Sequence, residues 1–516
     1  MRRPLLCVLG LLGCSEVTTP AAMVPAGDAS PTGDGPLADT ATAPEVPLVE
    51  GLAPTLPVQG VALFQSVRIP LAEEGEAPPR TAPVVVGRAS LLRVYVAVPD
   101  GWSPQAVTAE LRWERPDTDP LTLRESRMVS VTSREDLRDS VFTFRLAPEL
   151  LTEGARYSVR LLTPGGEAPP EGEAHGARFP RDGTTAELGA RTDRGGVSLV
   201  LVPIRYEADG SRRLPDTSEA QLTRIRSLVQ ALYPLRTFTV RVREPVAWTR
   251  GSTSGGDPDF IALNQLLVNV RRSDRAAPEE YYYGLVNSAN TRREYRSSVN
   301  GLAYLVDNPR GGMLRVGSGV GFTGDGSANT LAHELGHMHG RRHAPCGPVQ
   351  NADPSYPYRG GRTGVWGWDS RQSVLYAPDL TADFMGYCGV EWISDHNYRA
   401  IFERINAVRE LAEEASGGGE PQPDQGGDAD GDVLYRFLTL LPDAPPRWGE
   451  LVRLPADIPG PRRRIQLLDA SGRSLGDTTV SATELSEGAG VDLLIPSETQ
   501  RVRAIGLDNF GTLRLP

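Results

Sequence analysis

The 516-residue sequence predicts a multidomain α+β protein: an N-terminal β-sandwich, a central α/β domain on a mixed sheet, and a small C-terminal β domain. Three observations carry this reading. At roughly 150 residues per domain, the length argues for about three domains. Residues 57–190 show short alternating apolar runs punctuated by Pro, Gly and Asp, a pattern of strands without helices. From about residue 195 the period changes, and strand-like and helix-like stretches alternate.

Composition narrows the function classes. Hydrophobic residues make up 39% of the chain, enough to build packed cores, while 44 Pro and 55 Gly point to many turns and some linker. The net charge is −11 and every basic residue is Arg, with no basic cluster, which argues against a nucleic-acid partner. No apolar run approaches 18 residues, so the sequence predicts no transmembrane helix. Four Cys are too few for a disulfide-rich scaffold.

The chain opens Met1-Arg2-Arg3-Pro4 and continues with a short apolar run, the layout of an export signal. The stretch Leu11-Leu12-Gly13-Cys14 resembles the bacterial lipobox. That resemblance implies a signal peptide over 1–13 and acylation of Cys14, giving a membrane anchor for an envelope or cell-surface lipoprotein. A plain cleaved signal of a secreted protein, or a mis-assigned start, is the simpler alternative. Residues 14–56 are rich in Pro, Ala, Thr, Gly and Asp without apolar periodicity and read as a disordered tether.

In the 57–190 domain the alternating runs fall at 61–69, 84–86, 90–98, 106–113, 141–146 and 157–162, an immunoglobulin-like count. His175 falls in a Gly/Glu/Pro-rich stretch and reads as an exposed loop residue. The central domain, 195–415, starts with a near-continuous apolar strand at 197–204. Leu222, Ile225, Leu228, Val229 and Leu232 then follow helical spacing until Pro234 stops them. Strands follow at 238–242 and 281–286, separated by a helix through Ile261, Leu263, Leu266, Leu267 and Val270, for which Asp257-Pro258 offers a cap and first-turn proline. Further extended segments fall at 301–306 and 314–322. A late helix, capped by Ser394, carries Tyr398, Ile401, Phe402, Ile405, Val408 and Leu411 on one face; His396 lies at its start and reads as a surface or cap-region residue. Residues 416–432 form a linker, and 433–516 alternate as a small β domain. Asp424, Asp428, Asp430 and Asp432 raise a Ca2+ site, but their spacing is not that of an EF-hand loop and no Glu closes it, so Ca2+ is unsupported.

Chemistry concentrates in Leu331-Ala332-His333-Glu334-Leu335-Gly336-His337-Met338-His339-Gly340-Arg341-Arg342-His343, which holds four of the six His. On a helix His333 and His337 lie one turn apart on one face and can grip one Zn2+. Glu334 sits about 100° further round, off that ligand pair yet able to reach a water activated by the metal. Gly340 can end the helix in a left-handed conformation and bring His343 up as a third ligand. Three neutral nitrogens leave a fourth position for water, the mark of a catalytic site. His339, about 200° round from His337, cannot share the ligand face; it is exposed or packs on the sheet.

The extended pattern His-Glu-x-x-His-x-x-Gly-x-x-His resembles the metzincin clan of zinc endopeptidases, residue by residue, over roughly 195–415. The clan implies a Met-turn under the metal, for which Thr381-Ala382-Asp383-Phe384-Met385-Gly386-Tyr387-Cys388 is the candidate, with Met385 as apolar floor. Tyr387 matches the tyrosine that astacin-like and serralysin-like members place near zinc; a core or rim tyrosine is the alternative. The clan also implies a substrate-receiving edge strand near 317–322. If the Met-turn lies beneath the zinc, Cys346 and Cys388 become neighbours, and an exported protein would join them as a disulfide; two free thiols are the alternative. The segments Ala344-Pro345-Cys346-Gly347 and Trp392-Ile393-Ser394-Asp395 depart from the commonest forms of the clan, so no subfamily is assigned.

The resemblance implies an exported, lipid-anchored zinc endopeptidase acting on a protein or peptide substrate, with Glu334 as general base. The competing reading is a non-catalytic surface adhesin or envelope lipoprotein with a vestigial zinc domain.

Overall fold

A computed structural model describes residues 23–25, 50–166, 175–251, 255–417, 432–488, 490–497, 502–508 and 510–516. The expected signal 1–13, Cys14, and most of the tether 14–56 and linker 416–432 lie outside the described residues. The chain is a multidomain α+β protein, mostly strand, with four α-helices among the described residues.

The alternating apolar pattern of the N-terminal region produces two facing sheets. In one, Val58–Glu73 pairs with Ser90–Val96, which pairs with Phe142–Leu146. In the other, Gln105–Glu114 lies between Leu121–Val129 and Arg156–Pro164. Side chains of period two point inward from both, so Val61, Leu63 and Val94 meet Val107, Leu111 and Val159 in one core. The opposite face of the first sheet carries Ala62 and Phe64, which pack with Trp368 and Leu375. These last residues come from Gly367–Asp369 and Val374–Tyr376, two strands far downstream that extend the first sheet through Val67 and Ser66. The N-terminal sheet is thus completed by the chain that follows the histidine motif. Arg88 reinforces this junction, donating to Ser66 Oγ and the Gln230 carbonyl at 2.9 Å each and to the Tyr398 hydroxyl at 3.2 Å.

The central sheet is formed by β1 (Val197–Tyr206), β2 (Phe238–Val242), β3 (Glu280–Val286), β4 (Gly301–Ala303) and β5 (Val316–Val320), in the order β2-β1-β3-β5-β4. All neighbours are parallel except β4, which runs antiparallel to β5. Along β1, Val197, Leu199 and Leu201 face one core, and Val200, Val202 and Ile204 the other. Helices α1 (Glu219–Leu232), α3 (Asp325–Met338) and α4 (Asp395–Gly417) contribute to the first core, while α2 (Phe260–Ser273) contributes to the second. Ser394 caps α4, its Oγ accepting from the Asn397 amide at 3.2 Å.

Two expectations need correction. The substrate edge expected at 317–322 is an interior strand, because β5 is hydrogen-bonded on both sides. The edge is β4. Gly317 permits the close pairing, since a Cβ there would stand 3.0 Å from that of Ala303. The cap of α2 is Asp259, whose side chain accepts from the Ala262 amide; Asp257 instead accepts from the Asp259 and Phe260 amides and closes the turn before the helix.

The C-terminal segment forms one seven-stranded antiparallel sheet from Asp432–Leu441 to Gly511–Arg514. Alternation again splits it into two faces. Leu438, Leu440, Ile465 and Ile495 build a core of their own, whereas Tyr435, Phe437, Val452, Leu454 and Leu494 join the α2 side of the central domain. Asp492, fully buried at this junction, accepts from Thr439 Oγ1 at 2.6 Å, Tyr304 Oη at 2.7 Å and Gln265 Nε2 at 2.9 Å. This carboxylate therefore ties the C-terminal sheet to α2 and to the chain leaving β4. Replacing Asp492 with Ala strands these donors in a dry interface. The expected cost is at least about 2 kcal/mol, read by denaturant unfolding. An unchanged midpoint would contradict the bridging role.

Candidate metal centre

Helix α3 is aimed by its neighbours before any metal is considered. The Gln221 side chain of α1 grips Gly324, the residue before α3, accepting from its amide and donating to its carbonyl at 2.9 Å each. At the other end Gly340 takes φ +78°, and the Arg341 amide turns back to the Gly336 carbonyl at 2.9 Å. A Cβ at Gly340 would stand 3.0 Å from the Val306 carbonyl, so a side chain there is excluded by space as well as by backbone angle. The turn delivers His343 beside His333 and His337.

These three imidazoles converge. Their ligand nitrogens and a Glu487 carboxylate oxygen all lie within 4.8 Å of one another, and His333 Nε2 is 3.1 Å from His337 Nε2. Each ring is held from behind through Nδ1: His333 by the Phe384 carbonyl at 2.8 Å, His337 by the Arg341 carbonyl at 2.6 Å, and His343 by the Gln350 carbonyl at 2.7 Å. A carbonyl only accepts, so each Nδ1 carries a proton and each ring turns its Nε2 inward. Burial lowers the His333 pKa to about 4 and holds His337 well below the ordinary range, which keeps both rings neutral. Buried lone pairs pointing at one another repel. A divalent cation among them removes that conflict, and nitrogen donors held by outer hydrogen bonds suit zinc.

The turn that carries Met385 packs against α3. Met385 is fully buried, and a Cβ at Gly336 would meet its sulfur at 2.4 Å, so the glycine inside the motif is what lets the turn seat against α3. The turn itself is shaped by Asp383, which is fully buried; it accepts from the Met385 amide and Asn397 Nδ2 at 2.8 Å each and from the Ser394 amide at 2.9 Å. The segment after His343 pairs with this turn: Ala344 donates to the Met385 carbonyl and Tyr387 to the Cys346 carbonyl, both at 2.9 Å. Cys346 and Cys388 are joined as a disulfide, with Cα atoms 5.7 Å apart.

Glu334 is buried on α3 and accepts from Ser486 Oγ at 3.1 Å. Burial, with Glu487 nearby, raises its pKa well above the ordinary carboxyl range. Tyr387 brings its hydroxyl within 3.3 Å of His333 Nε2 and 3.2 Å of His343 Nε2, and donates to Glu487. The remaining histidines stay outside the cluster. His339 is buried and stacks on Tyr281 of β3 at 4.6 Å, so it packs on the sheet. His396 is half-buried and, with Arg341, holds Asp353, whose amide donates to the His343 carbonyl. His175 is half-buried, with its Nδ1 accepting from the Ala177 amide. Of the linker acids, Asp432 pairs with Arg272 and joins no metal-binding group among the described residues. A cavity of about 330 Å³ opens beside α3, lined by Asn329, Ala332, Phe384, Glu391 and Trp392 among others.

Sequence reasoning missed Glu487 and Ser486. They lie in the loop between Ser474–Glu484 and Val491–Pro496 of the C-terminal sheet, far from the motif in sequence and with no local spacing to mark them. It also gave Asp383 no role, although an Asp two residues before a turn Met is a local signal for an Asx turn.

The three imidazoles and Glu487 form a group that could hold a metal ion. Residues 259–389 match the family model described as Peptidase M66, a zinc metallopeptidase family, and the match and the buried histidine–glutamate group fit a zinc peptidase. No curated protein matches the chain.

Removing the disulfide with Cys346→Ala and Cys388→Ala frees a loop with a sequence separation of 42. The chain-entropy model puts the loss at about 4 kcal/mol. Thermal unfolding in oxidising buffer checks it, and an unchanged melting temperature would mean that backbone pairing alone holds the Met-turn.

Proposed function

We propose that the protein is an exported zinc endopeptidase of metzincin type, anchored through an acylated Cys14, and that Glu334 is its general base. The observation that carries the proposal is the convergence of three inward-facing imidazole nitrogens beside a buried carboxylate that is not needed as a ligand. His333, His337 and His343 would hold the zinc, and zinc there supplies Lewis acidity that activates a water and polarises the scissile carbonyl.

The chain's own groups do the rest. Glu334, one residue after His333 on α3, takes the proton from the attacking water and passes it to the leaving amine. The Tyr387 hydroxyl, held beside the imidazoles, donates to the oxyanion as it forms. The Met385 floor and the three carbonyls behind the rings keep the ligands in place while charge moves. Strand β4 is the sheet edge to which an extended peptide would add as a further strand, in place of the segment 484–486 that pairs with Ala303 at its end. The N-terminal sequence and the disulfide favour an oxidising, extracytoplasmic setting.

The test is prolonged casein digestion by the zinc-loaded full chain, with and without chelator. Glu334→Gln is expected to lower the rate by about 10²–10⁴-fold, while zinc content by elemental analysis stays the same. Cleavage by this variant at the parent rate would refute the general-base assignment. Cleavage indifferent to chelator would refute the metallopeptidase reading.

A further inference from the structure

The loop that carries Glu487 touches every working part of the proposed centre. At the C-terminal end of β4, the backbone that faces away from β5 is hydrogen-bonded to that loop. The Ser486 amide donates to the Ala303 carbonyl at 2.9 Å, and the Leu305 amide donates to the Glu484 carbonyl at 3.0 Å. Tyr304 and Leu485 pair antiparallel between them. Residues 484–486 therefore lie antiparallel to Ala303 and the two residues that follow it, on the outer side of the end of β4, where an extended substrate would pair.

The side chains continue the imitation. Ser486 Oγ donates to Glu334 Oε2 at 3.1 Å and accepts from the Ala303 amide at 2.9 Å. Glu487 then reaches the centre itself. Its Oε1 is 3.4 Å from His343 Nε2, it accepts from the Tyr387 hydroxyl, and it is the one carboxylate grouped with the three metal-facing nitrogens. The substrate edge, the base, the tyrosine and the open metal position are all engaged by residues 484–487. The segment is also anchored from outside: Arg342 Nη1 donates to Glu484 Oε2 at 2.7 Å, and Asn351 Nδ2 donates to the Gly488 carbonyl at 2.6 Å.

We propose that the C-terminal domain keeps the peptidase latent, with residues 484–487 lying on β4 as an internal pseudosubstrate and Glu487 occupying the metal position that a water or substrate must enter. This inference rests on the peptidase reading above and adds its regulation. The buried junction at Asp492 stays fixed, so opening needs only the loop tip to lift. Besides its contacts with Glu334, Tyr387 and His343, the tip is restrained by the β4 pairing, Arg342 with Glu484, and Asn351 with Gly488. A partner or substrate that competes for β4 would open the site.

The test uses the full chain loaded with Co2+, whose visible spectrum reports the ligand set, and acetohydroxamate as a small probe of the open position. A loop closed nine-tenths of the time weakens apparent probe binding about tenfold. Glu487→Ala is therefore expected to bind acetohydroxamate at least about tenfold more tightly than the parent, with an altered cobalt spectrum and the metal retained. Casein turnover should rise by a similar factor, and Ser486→Ala should give a smaller rise in the same direction. In the metal-free protein, hydrogen exchange at the Leu305 and Ser486 amides should speed up in Glu487→Ala, a readout independent of activity. Equal probe affinity in parent and variant, metal retained, would overturn the proposal whatever casein shows. Loss of cobalt from Glu487→Ala would also overturn it, by making Glu487 a resident ligand. Tighter probe binding without casein cleavage in any form would uphold the plug and sink the peptidase reading.

Discussion

Everything in the site depends on three imidazole rings whose outer nitrogens are spent on backbone carbonyls. Those hydrogen bonds fix the ring orientations and turn three Nε2 atoms into one small buried space. Such an arrangement costs free energy unless a cation sits in it. The elements around it serve to impose this geometry: α1 holds the start of α3, Gly340 reverses the chain to bring His343 back, and the Asp383-shaped turn places the Phe384 carbonyl behind His333.

The constraint reaches well beyond the central domain. The stretch between the third histidine and the Met-turn includes two strands that complete the N-terminal sheet, and the Trp392 indole just after the turn donates to the Ser66 carbonyl at 2.7 Å. The sandwich therefore braces the floor of the site. On the other side the C-terminal sheet shares a core with α2 and sends its loop across β4. The N-terminal and C-terminal regions thus both pack on the domain that holds the centre, through backbone as well as side chains.

Much of this was legible in the sequence, for identifiable reasons. The apolar period of β1, the stripe on α4 and the Ser394 cap are local patterns, and they appear in the structure where periodicity puts them. The histidine spacing works because one helical turn is a local quantity. What escaped was non-local or steric. Strand order within the central sheet cannot be read from strand spacing, so β5 was taken for the edge when β4 holds it. The cap of α2 falls at Asp259, two residues after Asp257, because Asp257 is taken up by the Asp259 and Phe260 amides of the turn before the helix. Glu487 reaches the imidazoles only through the docking of a whole sheet, and nothing near it in sequence announces that.

The most direct measurement of the central claim is X-ray absorption at the zinc edge of the purified full chain, with metal stoichiometry. The account predicts one zinc per chain in a shell of nitrogen and oxygen, with outer-shell scattering from three imidazoles. A chain that takes up no zinc, or a shell with fewer imidazoles or with sulfur, would contradict it.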